Sequence, residues 1–162
     1  EMGDAQAALG FFGRAQDMAP NDWRVLAGTG SALLKMEQAR PALNMFDQAV
    51  AAGAPEAEIA ADRGLARDLT GDPRGAQQDY ARALRHRDTA EVRRRLALSL
   101  AISGQRDAAL AAIDAQLRRH DRAAWRTRAL VLAVTGDANG AAETARSTMN
   151  PAAASAMAPF LA

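Results

Sequence analysis

The residues of this chain whose types could carry chemistry are His86, His120, the charged cluster Asp62, Arg63, Arg67 and Asp68, and an arginine-rich stretch from Arg82 to Arg128. Each histidine stands alone near the C-terminal end of a predicted helix, where an imidazolium meets the negative end of the helix dipole, so both read as end charges rather than ligands. No paired metal-ligand spacing and no serine elbow motif occurs. Gly28-Thr29-Gly30 lacks the third glycine and the preceding strand of a dinucleotide-binding turn, and Gly30 reads as a helix-contact position. With no cysteine, neither a disulfide framework nor a thiolate metal site is available. Two of the clustered arginines fall where a helix would normally be buried, which leaves two readings open. Either they snorkel outward and pair with the neighbouring aspartates, or they mark a partner contact. Nothing here implies a cofactor, a metal or a catalytic residue, and the chain reads as a non-enzyme.

The elements that would position these residues are helices in pairs. A turn residue followed by small or aromatic residues 5, 9 and 12 positions later recurs along the whole chain. The sets are Gly3, Ala8, Phe12, Ala15; Glu37, Ala42, Phe46, Ala49; and Gly71, Ala76, Tyr80, Ala83, weakening to Gly104, Ala109, Ile113, Gln116 and Gly136, Ala141, Ala145, Thr148. Spacings of 34, 34, 33 and 32 residues between turns specify stacked repeat units rather than one irregular core. First helices are expected over 23–36, 56–70, 89–103 and 122–135, and second helices over 5–19, 39–52, 73–87, 106–119 and 138–149. Asp72-Pro73 and Asn150-Pro151 read as an N-cap followed by proline in the first turn. Pro20 and Pro55 close the helices before them. A last segment with Met157, Phe160 and Leu161 on one face reads as a capping helix.

Composition agrees with this reading. Only 4% of the 162 residues are aromatic, so an alanine-rich chain of this kind buries area through close helix approach rather than bulk. No apolar run approaches the roughly 20 residues needed to span a bilayer. The net charge is only +1, but residues 82–128 carry twelve basic against five acidic side chains, while residues 1–81 carry seven against twelve. A solvated helix face and an acidic-partner patch both account for that stretch. Nucleic acid does not, because no aromatics interleave the arginines for base stacking.

At these positions the chain resembles the tetratricopeptide repeat family. Gly30, Leu33, Ala42, Phe46 and Ala49 fill the second unit as that family's pattern does, and Gly64, Ala76, Tyr80 and Ala83 fill the third. Trp125 falls on the family's early tryptophan and Pro20 on its late proline. Arg63 and Arg128 depart from it where leucine is usual, Arg67 departs at an apolar position, and Arg93 replaces an aromatic. The resemblance implies an all-α fold, a right-handed superhelix of helix-turn-helix repeats. Its units would be 1–22 (the second half of a repeat), 23–56, 57–89, 90–121, 122–150 and a cap at 151–162, with Phe12, Phe46, Tyr80 and Trp125 largely buried. A chain that starts on a second helix is expected to lack an upstream helix, to leave the face carrying Leu9 and Phe12 uncovered, and to cover it by self-association or to fray there.

The resemblance also implies a protein or peptide partner held in the groove built from first helices. The family's groove positions give Leu34, Lys35, Leu65, Asp68, Leu69, Arg94, Leu98, Ile102, Arg126, Leu130 and Val134. The leucines and their apolar neighbours would form a stripe flanked by Lys35, Arg94 and Arg126, suited to a segment with apolar anchors and acidic flanks. The same leucines serve equally as inter-repeat core if the register shifts by one residue. Ala27 and Ser31, Ala61 and Leu65, and Arg94 and Leu98 stand where a chaperone-tail clamp needs lysine and asparagine, which argues against that ligand.

More narrowly, Asp22 to Ala27, Gly64 to Ala66, Leu96 to Leu100, Glu143 to Arg146 and the tail Met157 to Leu161 are similar to the repeat lipoproteins of tight-adherence (Tad, Flp-type) pilus assembly systems. That resemblance implies a periplasmic or outer-membrane-associated assembly factor, with any lipid anchor outside this chain. The alternative is the repeat region of a larger enzyme, such as a transferase, whose catalytic domain lies elsewhere.

Overall fold

A computed structural model describes residues 2–148 together with residues 152, 155, 156 and 159. The proposed cap at Asn150-Pro151 and the Met157, Phe160 and Leu161 face lie outside the described residues. Among the described residues the elements are all helices: α1 (Met2–Met18), α2 (Trp23–Lys35), α3 (Ala39–Ala51), α4 (Glu56–Thr70), α5 (Pro73–His86), α6 (Ala90–Ile102), α7 (Arg106–Arg118), α8 (Arg122–Val134) and α9 (Ala138–Thr148). They fall into two compact units, Glu1–Arg87 and Asp88–Ala162.

Helix starts are set by side-chain caps. The Asp72 carboxylate accepts from the Gly75 amide at 2.9 Å and Pro73 occupies the first turn of α5, where its missing N–H costs nothing. Asp22, Thr89 and Asp121 do the same for α2, α6 and α8, accepting from Arg24, Val92 and Ala123 at 2.8, 3.3 and 2.7 Å. Pro55, expected to close α3, instead stands as the residue before α4, four residues beyond the end of α3.

The turn residue of the repeat pattern is a column of left-handed backbone. Glu37, Gly71, Gly104 and Gly136 have φ of 61°, 91°, 76° and 88°. Gly71 closes α4 in this conformation because it has no Cβ to clash with the following carbonyl. The fifth member, Gly3, is not a turn: α1 already begins at Met2. Glu37 is the one side chain forced into the column's conformation, and it is exposed. Glu37→Gly is therefore expected to raise stability by about 0.5–1 kcal/mol, seen as a higher midpoint in urea, because relief of the left-handed strain outweighs the entropy added to the unfolded chain.

In the first unit α2 packs on α3 and α4 on α5. Phe46 is 1% exposed and its ring lies on Gly30, where a Cβ would come within 2.9 Å of the ring. Tyr80, fully buried, lies on Gly64 in the same way, at 2.8 Å. Glycine at those two positions is thus what lets an aromatic wedge between helices. In the second unit Ile113 takes the aromatic's place against Ala97, Ala101, Ala109 and Val131, and α8 and α9 close over Ala129, Leu132, Ala141 and Ala145.

Two aromatics depart from expectation. Trp125 is half-buried near the start of α8, with the Arg128 guanidinium 5.9 Å from its ring centroid. Phe12 is also half-buried, its ring resting on Gly28 of α2 rather than beneath a helix of its own pair.

Candidate interaction surface

The described groove residues sort into two classes by depth. At the same repeat position in three of the first helices, Leu65, Leu98 and Leu130 are half-buried, Leu98 packing on the α6–α7 core and Leu130 on the α8–α9 core. Leu34 likewise packs into the α2–α3 core. Four residues further along, the side chains stand out in solvent: Lys35, and Leu69, Ile102 and Val134 at 60%, 67% and 53% exposure. Core and surface roles are thus split between two rows of the same stripe.

In the second unit α6 and α8 pack directly against each other, so their equivalent residues form rungs. Arg94 with Arg126, Leu98 with Leu130, and Ile102 with Val134 run from the start of these helices to their end. Arg126 is exposed, whereas Arg94 is committed: its guanidinium reaches the carboxylate of Asp121, the α8 cap, at 3.4 Å. The rest of the basic stretch is partly neutralised locally. Arg93 holds Asp88 through two bonds of 2.7 and 2.6 Å, Arg106 reaches Asp137 at 2.6 Å, Arg95 bonds Glu91, and Arg118 bonds Asp114. The Arg93 bonds hold the Asp88 carboxyl below the usual carboxylate range. The amide of Gly140, then Arg106, do the same for Asp137. Arg119 and Arg122 are exposed.

In the first unit the groove positions are occupied differently. The Ser31 hydroxyl donates to Asp62 at 2.8 Å, tying α2 to α4. Asp68 accepts from the Tyr80 hydroxyl at 3.0 Å, so it anchors the buried ring as well as facing the groove position assigned to it.

In the cluster Asp62, Arg63, Arg67 and Asp68, Arg63 does not snorkel outward. It points inward at 4% exposure. Its Nε and Nη2 donate to the two oxygens of Asp79 at 2.9 and 2.7 Å, and Nη2 also donates to Glu56 at 2.7 Å. Arg67 reaches Asp79 at 2.8 Å and Arg82 reaches it at 3.0 Å, with Arg82 also 3.1 Å from Glu56. Asp79 is fully buried. The burial of Arg63 disfavours its charge, but the bonds to Asp79 and Glu56 outweigh that and hold its proton more tightly than an ordinary arginine's. The hydrogen bond from Arg63 keeps Glu56 ionised to lower pH than usual. This cluster fixes α4 on α5, since every charge taken from water is met.

His86 ends α5 and His120 occupies a left-handed turn after α7, both exposed. Among the described residues no group of three metal-ligating side chains converges, and no helix is long and apolar enough to cross a membrane.

No family model matches the sequence, and no curated protein matches it. Solved structures do. The crystal structure of the MamA protein superposes with a TM-score of 0.71 at 18% identity, over 90% of this chain and 81% of that one. A second MamA structure gives 0.70 at 19%, over 88% and 85%. YrrB, described as a TPR protein with an unusual peptide-binding site, gives 0.70 at 21%, over 90% and 77%. At these identities the likeness shows the fold, and that fold is the all-α helical repeat of tetratricopeptide type.

Proposed function

We propose that the chain is a non-enzymatic interaction scaffold that holds a peptide or partner protein on the exposed face of its first helices. The observation that carries this reading is the pair Ile102 and Val134, large apolar side chains exposed on directly packed helices with Arg126 on the same face. Exposed apolar residues repeated at one position of successive repeats favour an extended contact over isolated surface exposure. The peptide-binding description of the structural neighbour YrrB supports the same reading.

The matching ligand has apolar anchors and acidic residues. Selection from a random peptide library on the immobilised chain should enrich such sequences. Ile102→Asp and Val134→Asp together should weaken a selected peptide at least tenfold at any salt. Arg126→Glu should weaken it mainly at low salt, where charges act over about 10 Å at 0.1 M. These sites are chosen because they are exposed, whereas Leu98 is part of the core and Arg94 holds the α8 cap. Peptides that bind both variants as they bind the parent would place the surface elsewhere.

The finer reading, an assembly factor of a Tad/Flp-type pilus system at the periplasmic face of the outer membrane, rests on sequence resemblance. Cell fractionation together with a count of surface pili in a deletion strain tests it. Cytoplasmic partitioning with normal piliation would favour the repeat region of a larger enzyme.

A further inference from the structure

The shared face of α6 and α8 changes character along its length. Arg122 and Arg126 stand exposed at the start of α8, Leu98 and Leu130 are half-buried midway, and Ile102 and Val134 are exposed at the ends. Resting on the reading of this face as the ligand site, we infer that its ligand is an α-helix of a partner protein, lying along the valley between α6 and α8 and antiparallel to both. That helix carries apolar residues in its first turns and acidic residues in its last.

The two helices run the same way, since α7 returns between them and Arg94 near the start of α6 reaches Asp121, the α8 cap, at 3.4 Å. Residue types are alike across the pair and change along it. Arg126 and Val134 are eight residues apart on one helix, about 12 Å. A ligand lying across the pair meets one type only, whereas one lying along the valley meets both. The walls are helices whose backbone groups are bonded internally, so an extended segment would find no edge to pair with and would lose water from unpaired N–H and C=O groups. A helix bonds its own backbone and rises by the same step per residue as the helices it faces. Its residues i, i+3 and i+4 then seat against Ile102 and Val134 and over the two leucines, with i+7 and i+8 beside Arg126. Polarity follows from charge. The positive dipole ends of α6 and α8 lie at the arginine end of the valley and the negative ends at Ile102 and Val134. An antiparallel ligand brings its own negative end, and acidic side chains there, to both the dipoles and the arginines.

The probe is a fluorescent fourteen-residue alanine-based peptide with leucine at its third, sixth and seventh positions and glutamate at its tenth, eleventh and fourteenth. It is compared by anisotropy with the same sequence reversed, each titrated with the whole chain. The forward peptide should bind saturably and at least tenfold tighter than the reversed one. Glutamates near the N-terminus favour a free helix, so the reversed peptide is the better helix alone and the preference has to come from the chain. Proline at the ninth position, which faces away from the valley, should weaken the forward peptide at least tenfold by breaking its helix. A nitroxide on Gln105→Cys, in the turn after α6 of a chain with no other cysteine, should broaden the peptide's N-terminal NMR signals more than its C-terminal ones. If Ile102→Asp with Val134→Asp removes binding but the forward, reversed and proline peptides bind alike, or the C-terminal signals broaden more, the face stands and the antiparallel helix is overturned. Binding that survives in the double variant overturns the face and the helix together. A forward peptide that fails to bind a chain whose library-selected peptide still needs Ile102 and Val134 overturns the helix alone.

Discussion

Asp79→Ala is expected to destabilise the chain by about 3–5 kcal/mol, the largest effect of any single charged-residue change, because it leaves a buried arginine without its counter-charge. Asp79 is fully buried and meets three guanidinium groups between 2.7 and 3.0 Å. Without it, Arg82 and Arg67 can turn toward water, since their side chains are already 37% and 24% exposed. Arg63 cannot, at 5%, and Glu56 reaches only one of its nitrogens. The loss should appear as a lower denaturant midpoint and as early hydrogen exchange in α4 and α5. The double change Arg63→Leu with Asp79→Met places at these positions the residue types found at Leu96 and Met45 in the equivalent columns. It should recover most of the loss, because an apolar pair of similar volume needs no charge compensation. If the double variant were no more stable than Asp79→Ala, the cluster would be acting through something other than paired burial.

The helix pairs were legible because small residues and aromatics recur at one spacing, and the observed helices begin within about three residues of the expected positions. Phe46 and Tyr80 were legible as wedges for the same reason, each having a glycine sixteen residues earlier to lie on. Arg63 was legible as an anomaly but not as a partner of Asp79. A repeat pattern describes what columns share, whereas this ion cluster exists in one unit only: the column of Asp79 otherwise holds Phe11, Met45, Ala112 and Thr144. The usable signal was two opposite charges in two normally apolar columns, sixteen residues apart. Arg128 shares Arg63's column but faces Thr144 in the partner column, and it is left over the Trp125 ring instead of inside. The split of the groove stripe was not legible either. Periodicity places Leu98 and Ile102 on one helix face, but only the packing of α6 on α7 and α8 decides that the first enters the core and the second does not.

Phe46→Ala is expected to cost about 3–5 kcal/mol, whereas the same truncation at Phe12, its counterpart one repeat earlier, should cost well under half as much. The side chains are identical and occupy the same column, so the difference isolates what a covering helix contributes. Phe46 lies on Gly30 of α2 in one core with Ile59 and Ala66 of α4, and at 1% exposure its truncation leaves a buried cavity. A cavity term therefore adds to the lost transfer free energy. Phe12 loses only the contacts it makes along Gly28, and the space it vacates is already open to water. Chemical denaturation of the two variants measures the contrast directly. Equal costs would mean that Phe12 is enclosed in solution as fully as Phe46.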